Sequence, residues 1–203
     1  MKRNKAPHEQ KALALVREAV VLRPRDLSAH GIPRNALSRL VKRGAVRRIA
    51  RGLYELADRD PPEHLALMEV CKRVPHGVVC LISALNFHEL TTQIPHEVWM
   101  AIDVKAHQPK IKYPPTRFVR FSGPALTYGV KDHDLQGVTV RITTPAKTVA
   151  DCFKFRNKVG LEVAIEALRD YWRNKKGAID DLWKAAQVCR VAKIMRPYLE
   201  ATV

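Results

Sequence analysis

Residues 24–56 read PRDLSAHGIPRNALSRLVKRGAVRRIARGLYEL, and this stretch decides the fold of the first part of the chain. Gly31-Ile32-Pro33 combines a residue that tolerates the left-handed conformation, an apolar anchor, and a proline suited to the first turn of a helix. It predicts a sharp turn between two helices, the second of which ends at Gly44. Residues 46–49 and 53–56 are short β-prone runs joined through a glycine, which predicts a hairpin. The stretch therefore predicts a helix-turn-helix followed by a basic β-hairpin.

The second helix of this motif is predicted to be amphipathic. At about 100° per residue, Leu37, Leu40 and Val41 fall on one face, which is expected to pack on the core. The opposite face carries amide, hydroxyl and charged groups, and arginines decorate the hairpin. These polar side chains are the predicted DNA contacts: Arg34, Asn35, Ser38, Arg39, Lys42, Arg43, Arg47, Arg48 and Arg51.

The angles on this helix also predict how the contacts divide their work. Asn35 and Arg39 lie farthest from the predicted core and toward the front of the helix, the part that enters the major groove in helix-turn-helix docking. Asparagine can pair with adenine, and arginine with guanine, through two hydrogen bonds. We therefore predict that these two residues read base edges. Lys42, Arg43 and the hairpin arginines are predicted to meet phosphates or the minor groove.

The distribution of charge supports an interaction with double-stranded DNA. The 203 residues carry a formal net charge of +16. Residues 1–60 contain 15 Lys or Arg against 6 Asp or Glu, a net of +9, whereas the other 143 residues contain 21 against 14, a net of +7. From Arg34 to Arg51 there are seven basic residues and no acidic one. This charge favours a polyanionic partner for the first third of the chain. A helix-turn-helix with a hairpin can also dock proteins, so a protein-interaction adaptor stays an alternative.

The rest of the chain predicts a second domain of mixed composition. The polar, proline-rich residues 57–62 are the best candidate boundary, which gives domains at residues 1–60 and 61–203. A helix at residues 8–22 is predicted to pack beneath the helix-turn-helix. Hydrophobic runs predict strands at residues 78–82, 98–102, 117–121 and 138–142, and helices at residues 63–73, 83–89 with Ser83 as N-cap, 144–155, 161–172 and 179–199. The predicted fold class is α+β: a winged helix-turn-helix, then a mixed α/β domain with a small sheet and a helical tail.

Candidate chemistry in the second domain is weak. Asp103-Val104-Lys105 after a strand is half of a metal-dependent nuclease site, but it lacks a second acidic ligand in a suitable context. A DNA-tethered metal-dependent nuclease is therefore the alternative enzyme hypothesis. Lys147 and Asp151, at i and i+4, are predicted to be an exposed helix pair. No GxGxxG or GxxxxGK[ST] motif occurs, and we predict no catalytic residue, metal or cofactor.

The cysteines are interpreted as reduced core residues. Cys71 and Cys80 could join His76 and His88 in a zinc site on paper, but their spacings match no familiar zinc motif. The chain shows no apolar run of the length that spans a bilayer and no secretory signal. We therefore predict a cytoplasmic protein.

Several phrases of the sequence resemble one known family. They are RGLYEL at residues 51–56, LISALNFHELT at 81–91, PHEVWMAI at 95–102, and TTPAKTVADCFKFRNKVGLEVAIEALRDY at 143–171. Together they resemble the AbiEi antitoxins, the antitoxin half of AbiE abortive-infection systems, over about residues 10–190. The resemblance implies a bacterial phage-defence protein whose winged helix-turn-helix binds inverted repeats in its own promoter. It also implies a C-terminal domain that counters a nucleotidyltransferase-like toxin in a type IV pair, in which the two proteins need not form a stable complex.

Overall fold

The computed structural model describes residues 6–19, 22–50, 52–58 and 63–202. The chain divides into two compact units, Met1–Leu65 and Ala66–Val203. Helices with a two-stranded sheet form the first, and a larger mixed sheet with helices forms the second, which confirms the predicted α+β class. The predicted boundary between residues 60 and 61 lies outside the described residues and stays a prediction. Within the described ranges, no helix is both long and apolar enough to cross a membrane.

The first unit has the order of elements expected of a winged helix-turn-helix. Its elements are α1 (Ala6–Glu18), α2 (Pro24–Ala29), α3 (Asn35–Lys42), β1 (Val46–Ala50) and β2 (Leu53–Leu56). The two strands pair antiparallel, and we call this hairpin the wing.

Leu22, shortly before α2, pairs with the wing and does not extend the first helix. Leu22 and Tyr54 exchange two backbone hydrogen bonds, of 2.8 and 2.9 Å. The helix predicted over residues 8–22 therefore ends earlier, at Glu18, because Leu22 is bonded to the hairpin. This bridge fixes the start of the helix-turn-helix against β2.

The turn between α2 and α3 follows from its three residues. Gly31 adopts a φ of 66°, in the region that favours glycine. The N–H of Ile32 donates to the carbonyl of Leu27 at 2.9 Å, and the Ile32 side chain is buried in the core. Gly44, with a φ of 70°, reverses the chain after α3 and leads it into the wing.

The buried face of α3 differs from the prediction. Ala36, Leu37 and Leu40 are buried, whereas Val41 is 36% exposed, so its assignment to the core was wrong. Ala36 belongs to the same buried cluster as Ala12 and Val16 of α1. Because α1 packs against Ala36, the buried face of α3 includes Ala36 in place of Val41. Helical angles alone could not reveal this difference.

The second unit is built on a mixed sheet covered by helices. Its elements are α4 (Leu65–Arg73), β3 (Val78–Val79), α5 (Leu81–Phe87), β4 (Val98–Asp103), β5 (Thr116–Phe121), α6 (Pro124–Thr127), β6 (Val130–Leu135), β7 (Val138–Thr143), α7 (Pro145–Lys154), α8 (Arg156–Val159), α9 (Leu161–Arg173), α10 (Ile179–Val188) and α11 (Ala192–Glu200). Among the described residues, the sheet has five strands in the order β5-β4-β3-β7-β6. The pairs β4–β5 and β3–β7 are parallel, and the pairs β3–β4 and β6–β7 are antiparallel.

Three sequence predictions for this unit were wrong in detail. The strand predicted at residues 78–82 stops at Val79, because α5 begins at Leu81 with Cys80 as its N-cap. Ser83 is therefore not an N-cap, and its hydroxyl instead accepts a hydrogen bond of 2.9 Å from the N–H of Trp99. The helix predicted over residues 179–199 is two helices, separated at Arg190, whose φ is 59°. β6 was not predicted.

The predicted exposed pair Lys147–Asp151 is instead fully buried, with both side chains 0% exposed. It lies on α7, which packs against α5, α9, α10 and α11, and these helices cover the part of α7 that carries the pair. Nζ of Lys147 donates to both carboxylate oxygens of Asp151, at 2.5 and 2.6 Å. The thiol of Cys189 donates to the same carboxylate at 3.2 Å. Burial raises the pKa of Asp151 although the lysine beside it acts in the opposite direction.

Candidate nucleic-acid interface

The exposed face of α3 carries polar side chains that a DNA groove could contact. Because the buried face contains Ala36, Leu37 and Leu40, the opposite face is centred on Asn35, Ser38 and Lys42, all of them exposed. These three residue types can hydrogen-bond base edges or phosphate oxygens.

Glu9 of α1 lies beneath the edge of this face and holds two of its arginines. Its side chain is 6% exposed, and its carboxylate lies 3.3 Å from Nη1 of Arg39 and 2.7 Å from Nη1 of Arg43. Arg39 also donates through Nη2 to the side-chain oxygen of Asn35 at 2.9 Å. A chain of contacts therefore links a buried acid in α1 to an exposed amide on α3.

The wing contains a second arrangement of this kind. Arg47 of β1 pairs in register with Glu55 of β2, and its guanidinium lies 2.7 Å from the Glu55 carboxylate. Glu55 is 0% exposed, whereas the Arg47 side chain is 39% exposed. Arg48, the next residue, is exposed on β1. The wing thus presents the side chains of Arg47 and Arg48 at its surface, and the buried Glu55 helps to hold the strand that carries them.

The predicted contacts divide into three groups by their surroundings. Arg34, Asn35, Ser38, Lys42 and Arg48 are exposed. Arg39, Arg43 and Arg47 are ion-paired to Glu9 or Glu55. Arg51 lies outside the described residues, and its predicted role, like that of the other eight, stays a prediction.

Sequence reasoning missed Glu9 and Glu55, although both left a signal. Glu9 stands in helical phase with Ala12 and Val16, which are fully buried. Glu55 is two residues after the buried Leu53, on the same face of a strand. An acidic residue in phase with an apolar face, close to many basic residues, indicates a buried ion-pair partner for those Lys and Arg side chains.

Glu9 gives a prediction about DNA affinity. Replacing Glu9 by glutamine keeps the shape of the side chain but removes the charge that holds Arg39 and Arg43. Binding to a random duplex should tighten at low salt, and its logarithmic salt dependence should steepen by about 0.9 for each arginine that gains a phosphate contact. Fluorescence anisotropy across a salt series would measure both effects.

The exposed acid Glu18, on the same helix, provides the control. Glu18→Gln removes the same formal charge without touching the arginines. If the two variants bind DNA alike, the buried carboxylate does not restrain Arg39 and Arg43.

Asp103 forms hydrogen bonds in the turn that follows β4. Its side-chain oxygen accepts a hydrogen bond of 2.8 Å from the N–H of Lys105, and its carbonyl accepts one of 2.9 Å from Arg120. Asp103 therefore closes the turn that follows β4. Among the described residues, no three His, Cys, Asp or Glu side chains gather in a group that could hold a metal ion.

The four residues considered for zinc also have other surroundings. Burial raises the pKa of Cys71 to about 12 and raises that of Cys80 as well. Both thiols lie in the hydrophobic core. Nε2 of His88 bonds the carbonyl oxygen of Thr143 at 2.6 Å. All four cysteines are buried and free, as predicted.

Comparison with protein families found one match, in the first unit. Residues 10–57, from α1 through the wing, match a family model described as a transcriptional regulator, AbiEi antitoxin. This match confirms the resemblance predicted from sequence for the part that carries the helix-turn-helix. We call the matched segment, residues 10–57, the AbiEi domain.

Comparison with solved structures extends beyond the AbiEi domain. The chain matches the crystal structure of the RV2827C protein from Mycobacterium tuberculosis with a TM-score of 0.57, over 96% of this chain and 81% of that one. The two sequences are 13% identical, so the likeness shows a shared fold alone. No curated protein matches the chain in sequence.

Proposed function

We propose that the chain is a sequence-specific repressor and antitoxin that binds double-stranded DNA in its own promoter. The observation that carries this proposal is the polar, exposed face of α3, set beside a basic wing in an AbiEi domain. An eight-residue helix is about 12 Å long, and the major groove is wide enough to admit an α-helix. The exposed face of α3 would enter the groove while the wing contacts the flanking backbone.

Asn35 and Ser38 are the residues best placed to read bases. Asn35 stands at the first position of α3, and the hydrogen bond from Arg39 fixes the orientation of its amide. Its oxygen retains a second lone pair and its nitrogen two protons, so the amide can still pair with adenine in the major groove. Arg39 would then act on DNA through Asn35, which refines the sequence prediction that both residues read bases independently.

Lys42 and Arg48 are proposed to bind phosphates. Both are exposed and cationic, one at the end of α3 and the other on β1. Contacts of this kind set the register of the protein on DNA and its salt dependence, but they carry no sequence information.

The antitoxin part of the proposal rests on the family of the N-terminal domain and on the C-terminal phrases that resemble AbiEi proteins. We infer that the second unit counters a nucleotidyltransferase-like toxin in the bacterial cytoplasm as part of phage defence, with no requirement for a stable complex and without enzymatic activity of its own. Co-expression with a growth-arresting nucleotidyltransferase-like toxin, taken from a gene adjacent to this one where such a gene is found, tests this inference. The intact chain should restore growth, and failure to do so would contradict the antitoxin assignment.

A promoter reporter tests the DNA-binding part. The intact chain should repress a reporter driven by the DNA upstream of its own gene, and Asn35→Ala combined with Ser38→Ala should relieve that repression by about tenfold or more, because direct base contacts contribute 1–3 kcal/mol each. Arg17→Ala with Glu18→Ala, two exposed residues of α1, should repress like the wild type. Full repression by the Asn35 and Ser38 variant would show that α3 does not read the operator.

A further inference from the structure

A second basic surface lies in the C-terminal unit, on the connection between β4 and β5. Residues 104–120 contain five Lys or Arg and no Asp or Glu. Because β4 and β5 are parallel neighbours, the chain must return from one end of the sheet to the other, and it does so through an irregular segment without a helix. We call this segment, residues 104–115, the basic loop.

The two arginines that follow the basic loop have protein partners. Arg117 lies 3.2 Å from the carboxylate of Glu97 and over the ring of Trp99, 4.7 Å from its centroid. Arg120 donates to the backbone carbonyl oxygens of Asp103 and Ala106. The contacts of these two side chains therefore stabilise the sheet edge and the loop.

The three lysines of the basic loop are different. Lys105, Lys110 and Lys112 are exposed, and none of them forms an ion pair with an acidic residue in the described parts of the chain. They lie within at most about 25 Å along the chain, the length of about seven base pairs of duplex. Uncompensated cations over such a length fit a polyanion with regularly spaced charges.

The loop is held at both ends, so these cations are positioned in advance. Its start is closed by the hydrogen bond from Lys105 N–H to Asp103 and by the Arg120 contacts. Near its end, Nη1 of Arg73 donates to the carbonyl oxygen of Tyr113 at 2.6 Å. Tyr113 itself is 70% exposed, and an exposed aromatic residue among lysines is a surface on which a nucleic-acid base can stack.

We propose that the basic loop binds the phosphodiester backbone of nucleic acid. This surface goes beyond the proposed operator binding, because it lies in the other unit and requires no particular base sequence. Its lysines bind phosphates of any sequence, and Tyr113 adds a stacking contact where a base is unpaired. Its contribution is therefore a steep salt dependence that is common to specific and random DNA.

The test uses the full-length chain and two probes, a random DNA duplex and a single strand of the same length, across a salt series. The triple variant Lys105→Ala, Lys110→Ala, Lys112→Ala should lower the logarithmic salt slope by about 0.9 per contact on the duplex and by about 0.7 per contact on the single strand. The control is Lys154→Ala, Lys184→Ala, Lys193→Ala, which removes three exposed lysines from α7, α10 and α11 of the same unit.

The outcomes are distinct. A lower slope in the loop variant alone supports the proposal, and an equal loss in both variants, or no loss in either, overturns it. Tyr113→Ala then identifies the source of the phosphates. It should weaken single-strand binding about tenfold if an unpaired strand is bound, with Tyr113→Phe near wild type, and it should leave binding unchanged if the loop contacts duplex only. The comparison of the two triple variants remains valid if the chain shows no preference for its own promoter, so failure of the proposed function would be distinguishable.

Discussion

Replacing Lys147 by methionine should lower the free energy of unfolding of the chain by about 3 to 5 kcal/mol. The cost arises because the Asp151 carboxylate would be left buried without its charged partner. Urea denaturation followed by circular dichroism would measure it. The matched control is Arg196→Met, which breaks an ion pair of the same i,i+4 spacing whose side chains are 70% and 66% exposed. That change should cost less than about 1 kcal/mol.

The double variant Lys147→Met, Asp151→Leu distinguishes the loss of a partner from the loss of packing. Replacing a whole buried ion pair by apolar groups of similar volume is often neutral or stabilising. The double variant should therefore recover most of the stability lost by Lys147→Met alone. Equal destabilisation of the single and double variants would mean that the charge on Asp151 is not the cause.

The same pair gives a dependence on pH. The pKa of Asp151 is raised by burial even with Lys147 present, and removing the lysine should raise it further. A carboxyl whose pKa is raised in the folded state favours folding when it is protonated, and this contribution is lost as the pH rises through the folded-state pKa. The defect of Lys147→Met should thus be smaller at about pH 5 than at about pH 8. A defect that does not change with pH would contradict an ionised Asp151 as its source.

Removal of the Asn35 side chain should produce the largest loss of discrimination on DNA. Asn35→Ala should weaken binding to the promoter by about 1 to 3 kcal/mol at one base position and leave random duplex nearly unchanged, because only the specific complex uses the amide. Lys42→Ala, seven residues further along the same helix, is the control for a phosphate contact and should weaken both duplexes alike. Equal weakening of both duplexes by Asn35→Ala would place this residue among the phosphate contacts.

Local features of the first unit were predictable because their causes are local. Gly31 and Gly44 mark chain reversals that require a positive φ, so the turn and the end of α3 could be read directly from residue types. Pro33 was predicted in the first turn of this helix, but it precedes the N-cap Arg34. The burial of Ala36 could not be read from residue types, because a small residue becomes buried only when another helix, here α1, approaches it.

The second unit was harder to predict for the same physical reason. β6 reads VKDHDL, and its mostly polar side chains are exposed or half-buried at the edge of the sheet, so no hydrophobic run marks it. Lys147 and Asp151 have the spacing of a surface pair, and only the helices packed around α7 make that pair internal. Whether a charged pair is buried depends on contacts between distant segments of the chain. The spacing of two residues within one helix cannot predict those contacts.

The central claim is that the AbiEi domain reads DNA sequence through α3 and holds the backbone through the wing. Equilibrium binding of the intact chain to its own promoter DNA and to a scrambled duplex, across a salt series, tests it most directly. The account predicts a preference for the promoter on the order of a thousandfold or more, with Arg48→Ala weakening both duplexes and lowering both salt slopes by about 0.9. Equal affinity of the intact chain for the two duplexes, or an effect of Arg48→Ala confined to the promoter, would contradict it.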